Sequence, residues 1–452
     1  MTSLDELLLR ELGPDAVCRD ADLVRACACD ESEQEACLPD AVVTPVDPLQ
    51  VEILLRLALE HRFFVTPRGT GTGKSGGSVP VRGGVVLSLH RMRGILEIDP
   101  ENLLAVVEPG ATCESLQTAA RDAGLFYPPD PASLATCSLG GNVAENAGGP
   151  RAFRYGVTRE YVLGMEVVRM GGLRFDVGHR PVKGVSGYDL TALLTGSEGT
   201  LAVFTKLIFR LIPQPQAPGL LILYFSSVQE AVRAVTRLVQ NRLFPMALEL
   251  LDRPSLDAAC TEDFAPPADA GGAVFCELEG LEAAPDAAKV VLDALTVHGC
   301  TPAGHDLCTT VVDSEAAWSA RRDVSKKLKA RWAHKISEDV AVPRALLPEL
   351  VLGVREIAEQ LGLQSACYGH AGDGNLHVNF LTDGDAAAFG LAVERLFRLT
   401  LLLGGTLSGE HGIGTLKRRF LAAEHAPAAL EMFAAAKHAW DPLGLLNPGK
   451  IL

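Results

Sequence analysis

The stretch that most constrains this chain is Pro67-Arg68-Gly69-Thr70-Gly71-Thr72-Gly73-Lys74-Ser75-Gly76-Gly77-Ser78. Residues without a Cβ let the backbone take positive φ and come close to a ligand. Consecutive N–H groups in such a segment line an anion-binding concavity. The stretch therefore reads as a diphosphate cradle, but not as either of the two familiar nucleotide motifs. A P-loop needs glycine, four residues, then Gly-Lys-Ser/Thr. Counted back from Gly73-Lys74-Ser75, the first glycine falls on Arg68. Gly71 to Gly76 also spells G-x-G-x-x-G, but that fingerprint opens a helix. Here Gly77, Pro80, Gly83 and Gly84 lead instead into Val85-Val86-Leu87-Ser88-Leu89. The loop is expected between strands at 63–66 and 85–89, with no helix dipole behind it. A flexible surface loop is the plain alternative.

A chain of 452 residues has room for roughly two or three domains with real cores. Its formal net charge of −15 argues against nucleic acid as a partner. Residues 1–15 carry acids and lack the basic start of a signal peptide. No stretch approaches the roughly 20 apolar residues that cross a bilayer. These features point to a soluble, cytoplasmic protein. Eleven cysteines are scattered without a framework, which fits a reducing compartment. Cys18, Cys27, Cys29 and Cys37 cluster but lack Cys-x-x-Cys spacing, so small buried side chains fit them better than metal ligands.

Residues 1–37 read as helical, and Pro39, Pro45 and Pro48 then break the chain. Asp47-Pro48 starts an amphipathic helix over 51–60. A hairpin over 96–99 and 103–107 and a helix over 113–123 follow. The stretch 133–149, after Pro128-Pro129-Asp130-Pro131, reads as a second loop of small residues. Its backbone would need partners, which a large ligand between the loops would supply. Strands are expected over 161–168, 172–177 and 200–211. From about 218 the pattern becomes strand 220–225, helix 228–240, strand 246–251, strand 273–279, helix 287–298 and a strand from 301. That is the split βαβ arrangement of a ferredoxin-like sheet. Helices over 314–333, 346–361 and 386–403 follow.

Tyr368-Gly369-His370-Ala371-Gly372-Asp373-Gly374-Asn375-Leu376-His377-Val378-Asn379-Phe380 is the second strong signal. Asp-Gly is a favoured two-residue hairpin turn. With Asp373-Gly374 at the tip, His370 would face His377, and Asn379 would share that face. Paired imidazoles suit a divalent cation, which a carboxylate completes. Glu410, in Ser408-Gly409-Glu410-His411-Gly412-Ile413-Gly414, is the candidate. A polar hairpin with a surface histidine is the plain alternative.

Taken in order, these motifs make the chain resemble the FAD-dependent D-2-hydroxyacid dehydrogenases. They are the glycine loop, Gly140-Gly141-Asn142, Asn146-Ala147-Gly148-Gly149 with Tyr155-Gly156, Gly196-Ser197-Glu198-Gly199-Thr200, the His370–His377 stretch, Gly409-Glu410-His411-Gly412 and Asn447-Pro448-Gly449-Lys450. That family includes D-lactate dehydrogenase, the glycolate oxidase FAD subunit and D-2-hydroxyglutarate dehydrogenase, among the vanillyl-alcohol-oxidase-like flavoproteins. The resemblance spans about 39–452.

The resemblance implies an α+β fold with four parts. They are an N-terminal helical segment (1–37), a two-part PCMH-type FAD-binding domain (38–213), a ferredoxin-like α+β cap domain (214–400) and a C-terminal segment returning to the flavin (401–452). It implies FAD held by residues 67–78, Pro129, Asp130, Ser138, Gly140, Gly141, Asn142, Asn146, Gly148, Gly149, Glu198, Gly199, Thr200 and Asn447. Some relatives tether FAD through a histidine in the first glycine loop. This loop has none, so the FAD is expected to be non-covalent. His370, His377 and Glu410 resemble the ligands of Zn or Mn. His411 resembles the base, and Arg321, Asn379 and Ser325 resemble substrate contacts, with Arg321 offering a fork to the α-carboxylate. The implied reaction moves a hydride from Cα to flavin N5 while a metal on the substrate hydroxyl eases proton loss to His411.

One position departs from the family pattern. Where the 2-hydroxyglutarate enzymes carry a lysine six residues before a proline, here Pro343, this chain has Ser337 followed by Glu338. That favours a monocarboxylate, D-lactate or glycolate. The alternatives are a D-2-hydroxyglutarate dehydrogenase, an accessory FAD-binding subunit of a glycolate oxidase complex, an oxidase, or an enzyme like alkylglycerone-phosphate synthase. No haem motif or iron–sulfur spacing is present, so electrons would pass to a partner protein, quinone or cytochrome. A homodimer, a place in an oxidase complex and a peripheral seat at the inner membrane all remain open.

Overall fold

The computed structural model describes residues 3–32, 34–280 and 282–452. They form two compact units: one of residues up to 148, 157–214 and 410–452, the other of 149–156 and 215–409.

The first unit holds two larger sheets. One has the order Val17–Cys18, Ala41–Val43, Val85–Ser88, Val65–Arg68, with the last three strands parallel. Parallel strands are covered on both faces and read as unbroken apolar runs. Val42, Val43, Val85, Val86 and Leu87 are accordingly all buried. Helix Pro48–His61 lays Val51, Leu54, Leu55 and Ala58 on this core. It starts where expected, because Asp47 accepts from the Gln50 N–H and Pro48 sits in the first turn. The glycine loop joins Val65–Arg68 to Val85–Ser88 and contains no helix. The other sheet is antiparallel, in the order Ile95–Asp99, Leu104–Val107, Ala202–Arg210, Val162–Arg169, Leu173–Gly178.

The stretch 133–149 departs from the expected loop, since Leu139–Glu145 is a helix. Ser138 caps it by accepting from the Gly141 N–H. Gly140 lies so close to Pro109 that an added Cβ would come within 2.7 Å of the proline ring. The missing side chains there serve close packing, and such packing outweighs the roughly 1 kcal/mol that glycine costs a helix.

The second unit is built on a seven-stranded antiparallel sheet. Its order is Gly304–Cys308, Gly219–Phe225, Gly272–Leu278, Ala247–Asp252, Gln364–Gly369, Asn375–Thr382, His334–Ala341. The first four strands lie in the ferredoxin-like order, fourth, first, third, second. Helices Val228–Gln240 and Ala284–Val297 supply the crossovers and pack on each other. Three more strands extend the sheet beyond Ala247–Asp252. The helix expected over 314–333 is two, Val311–Arg322 and Val324–Arg331, meeting at Asp323.

Candidate functional site

In the first unit the glycine loop is held from several sides. Arg68 donates to the Cys29 carbonyl (2.7 Å), the Ala26 carbonyl (3.0 Å) and Ser78 Oγ (3.2 Å). It ties the loop to the N-terminal segment. Lys74 pairs with Glu31 at 3.1 Å on the surface, and Thr70 is exposed. Gly69 lies against the Ser138 hydroxyl, and Ser75, Gly76 and Gly77 are buried. Asn447 donates to the carbonyls of Gly77 (3.0 Å) and Glu198 (2.7 Å), so the last turn of the chain clamps the loop to Gly196–Thr200. Thr200 is used internally, donating to the Ser197 carbonyl, and Asn146 accepts from the Arg159 N–H.

Glu198, itself at φ 51°, accepts from the N–H groups of Ile413 and Gly414, each at 2.7 Å. It thereby holds the turn that follows Glu410-His411. Burial pushes the Glu198 carboxyl up to about 7, against the pull of those two N–H groups. Burial, then the Glu198 charge, pushes Glu145 well above the usual carboxylate range. Gly412 has φ +84°, and a Cβ there would meet Glu145 Oε2 at 2.2 Å, so only glycine fits. Gly148 borders Glu410, whose Oε2 would lie 2.8 Å from an added Cβ. Ser75 Oγ, Ser197 Oγ, Asn447 Oδ1 and Glu145 Oε2 are buried without a partner. Buried polar atoms are ordinarily satisfied. Four such atoms around one glycine cradle fit a large polar ligand such as FAD.

In the second unit the hairpin register differs from the expected one. Tyr368, not His370, faces His377, and His370 to Gly374 form a five-residue connection. Gly374 has φ +87°, and a Cβ there would lie 2.0 Å from the Val342 carbonyl. Asp373-Gly374 is thus packed on the next strand rather than forming a free two-residue tip. The two imidazoles still meet, with centroids 5.4 Å apart and planes at 85°.

Asp339, His377, Tyr368 and Leu251 stand in register across four strands, and Asn379 and Glu249 lie two residues along on the same face. Glu249 is fully buried. It binds His370 Nδ1 and accepts from Arg321 Nη2 at 2.5 Å. Burial pushes its carboxyl up, but His370 and Arg321 together hold it below the usual range. Arg321, on helix Val311–Arg322, is buried and lies over the Tyr368 ring at 4.7 Å. Its Nε and the Oδ1 of Asn379 are buried without partners. Asp339 accepts from Asn375 Nδ2 (2.6 Å), Ser408 Oγ (3.1 Å) and the Gly409 N–H (2.8 Å), and lies 3.9 Å from His377 Nδ1. Glu410 is the next residue in the chain, and His411 is half-buried. Ser325 accepts from Lys335 Nζ at 3.1 Å. Glu249 holds Nδ1 of His370, the carboxylate contact that commonly orients a metal-ligating histidine. The nitrogen and oxygen donors present suit Zn or Mn.

Glu249 and Asp339 were not among the residues singled out from sequence. Their signal is an acid beside apolar strand residues: Ala-Leu-Glu249-Leu-Leu lies in a strand buried throughout, and Glu-Asp339-Val-Ala at the buried end of a strand that is otherwise partly exposed. A charge so placed must have a partner.

A family model described as "FAD linked oxidases, C-terminal domain" matches residues 214–451, and one described as "FAD binding domain" matches 39–178. The chain is 36% identical over 429 residues to "Glycolate oxidase subunit GlcD" of Bacillus subtilis, covering 93% of this chain and 91% of that one. It is 36% identical over 416 residues to a "D-lactate dehydrogenase" of Archaeoglobus fulgidus, covering 91% of each. Among solved structures, p-cresol methylhydroxylase superposes with a TM-score of 0.81 at 20% identity, over 98% of this chain and 95% of that one. An alkyldihydroxyacetonephosphate synthase gives 0.77 at 18%, over 98% and 85%. These likenesses show the α+β fold of the PCMH-type FAD oxidases. Among the described residues no helix is long and apolar enough to cross a membrane.

Proposed function

The chain belongs to the FAD-linked oxidases, and on that premise we propose that this FAD-dependent oxidoreductase oxidises a D-2-hydroxy monocarboxylic acid, D-lactate or glycolate, to the 2-oxo acid. The observation that carries the reading is the buried Glu249 face. It holds one imidazole and one guanidinium, and leaves Arg321 Nε and Asn379 Oδ1 turned into the interior without partners.

In this reading Arg321 donates to the substrate carboxylate, and its pairing with Glu249 fixes the fork before substrate arrives, so little ordering is needed on binding. Asn379 orients the hydroxyl end and Ser325 adds a polar contact. His411 takes the hydroxyl proton. His370, His377 and Glu410 would hold a divalent cation, Zn or Mn, which lowers the pKa of a bound hydroxyl. Bound FAD, seated on the 67–78 loop and kept without a covalent link, supplies the acceptor for the two electrons leaving Cα. The segments 38–213, 214–400 and 401–452 would serve as FAD-binding domain, cap and closing segment. The printed name of the Bacillus relative favours a subunit of an oxidase complex as the setting, with an acceptor protein, quinone or cytochrome taking the electrons.

The test is a screen of D- and L-2-hydroxyacids by dye reduction on purified yellow protein. D-lactate or glycolate should reduce the dye fastest. Turnover of D-2-hydroxyglutarate alone would overturn the monocarboxylate reading, and Lys335, on the same face as Ser337, would then be the cation to examine.

A further inference from the structure

Among the described residues, two buried thiols outside the proposed mechanism face each other in the first unit. Thr112 and Ser138 form an isolated antiparallel bridge. Each of these hydroxyls caps a helix, Cys113–Asp122 and Leu139–Glu145 respectively. The neighbouring pair across the bridge is Cys113 and Cys137, and the Cys113 N–H donates to the Cys137 carbonyl at 3.3 Å. Residues opposite each other in antiparallel pairing have Cα atoms about 4.5–5.5 Å apart. Disulfides span about 4.4–6.8 Å. The backbone hydrogen bond and the hydrogen bond between the two thiols bring the pair together side by side.

The two sulfurs are not equivalent. The Cys113 thiol has one proton and two acceptors, the Pro129 carbonyl at 3.2 Å and the Cys137 sulfur. It keeps that proton, its pKa lying well above the usual thiol range because of this hydrogen bond and burial. The same hydrogen bond is the chief cause that holds Cys137 down at about 7, against its own burial. The other buried cysteines, Cys27, Cys276 and Cys367, are pushed up by burial.

We propose that Cys113 and Cys137 form a redox-active dithiol that closes to a disulfide on exposure to hydrogen peroxide. Cys137 attacks as the thiolate, since the thiolate is the nucleophile. A sulfur–oxygen bond forms, the peroxide O–O bond breaks, and the departing hydroxide takes a proton to leave as water. The Cys137 sulfenic acid is then attacked by the Cys113 sulfur. The S–S bond forms, the S–O bond breaks, and the Cys113 proton leaves with the hydroxide as a second water. Two thiols and one peroxide give one disulfide and two waters. Sulfur loses the two electrons that the peroxide gains.

The experiment treats the FAD-loaded protein with a small excess of hydrogen peroxide, quenches in denaturant with an alkylating agent, and maps tryptic peptides. Cys113 is the sole cysteine of peptide 94–121 and Cys137 the sole cysteine of 122–151. The expected result is a dithiothreitol-sensitive species joining the two, lighter than their sum by two hydrogens. Cys113→Ser should stop the reaction at a dimedone-trappable sulfenic acid on Cys137. Both peptides recovered fully alkylated while the exposed Cys260 is oxidised would overturn the proposal, and so would either cysteine joined to a third one. The wild-type map decides by itself should the serine variant fail to fold.

Discussion

Replacing Glu249 by leucine should be among the most damaging single changes in the second unit. Glu249 is fully buried and meets two partners, Arg321 Nη2 and His370 Nδ1. Removing the acid leaves the Arg321 guanidinium, itself only 6% exposed, without its counter-charge. Breaking a buried pair from one side costs about 3–5 kcal/mol, most of it the penalty for the charge left behind. Replacing both partners by apolar residues of similar volume is often nearly neutral. Glu249→Leu should therefore lose about 3–5 kcal/mol, and Glu249→Leu with Arg321→Met should recover most of that loss. The recovery will be incomplete, because His370 has also lost its acceptor. Urea unfolding followed by tryptophan fluorescence is a direct assay. Trp318 lies on the same helix as Arg321 in the core of this unit, and Trp332 packs against that core. A loss below about 1 kcal/mol for the single variant, or a double variant as unstable as the two singles added, would refute the reasoning, since independent sites add and coupled sites do not.

Further outcomes follow from the same geometry. Acid or heat should release all flavin from the purified protein, because the 67–78 loop has no histidine; flavin fluorescence left on a denaturing gel band would show a covalent link. His377→Ala should lower the content of divalent metal measured by elemental analysis while FAD stays bound, and active wild-type protein without stoichiometric metal would remove the His370, His377, Glu410 assignment. His411→Ala should slow stopped-flow reduction of bound FAD by about 10²–10⁴-fold, and a rate within about threefold of wild type would place the base elsewhere. Glu198 is held at about 7 and Glu145 is also raised. A raised acid keeps its proton in the fold longer than in the unfolded chain, so this contribution is full below the ordinary glutamate pKa and is lost as pH climbs through 7. The flavin-free protein should melt lower at pH 8 than at pH 5, with Glu145→Gln flattening the difference; a melting point that rises over this interval would contradict it.

Most of the fold was legible because it rests on local rules. Asp47-Pro48 opens a helix through a cap and a preset φ, and alternation and buried runs mark the strands of the ferredoxin-like half. Where the reading went astray, tertiary packing had overridden a local rule. Glycines at 140 and 141 look like loop chemistry, yet they are helical, and at 140 Pro109 occupies the space a Cβ would fill. Asp373-Gly374 looks like a hairpin tip, yet Gly374 is pressed on the Val342 carbonyl, and the true connection starts at His370. Tyr368 accordingly stands opposite His377, and its ring lies under Arg321.

The site's acids were harder to see for a different reason. Glu249 lies 72 residues from Arg321 and 121 from His370, separations that no periodicity encodes. What the sequence does carry is a constraint of charge. An acid inside an otherwise apolar strand cannot stay ionised in the core alone, so its position demands cations from elsewhere in the fold. Arg321 and a histidine of the His370–His377 stretch were already candidates on other grounds. Of the two buried acids in the run Ala247–Asp252, Asp252 is taken up by Ser255 and the Cys367 N–H, and Glu249 holds both cations.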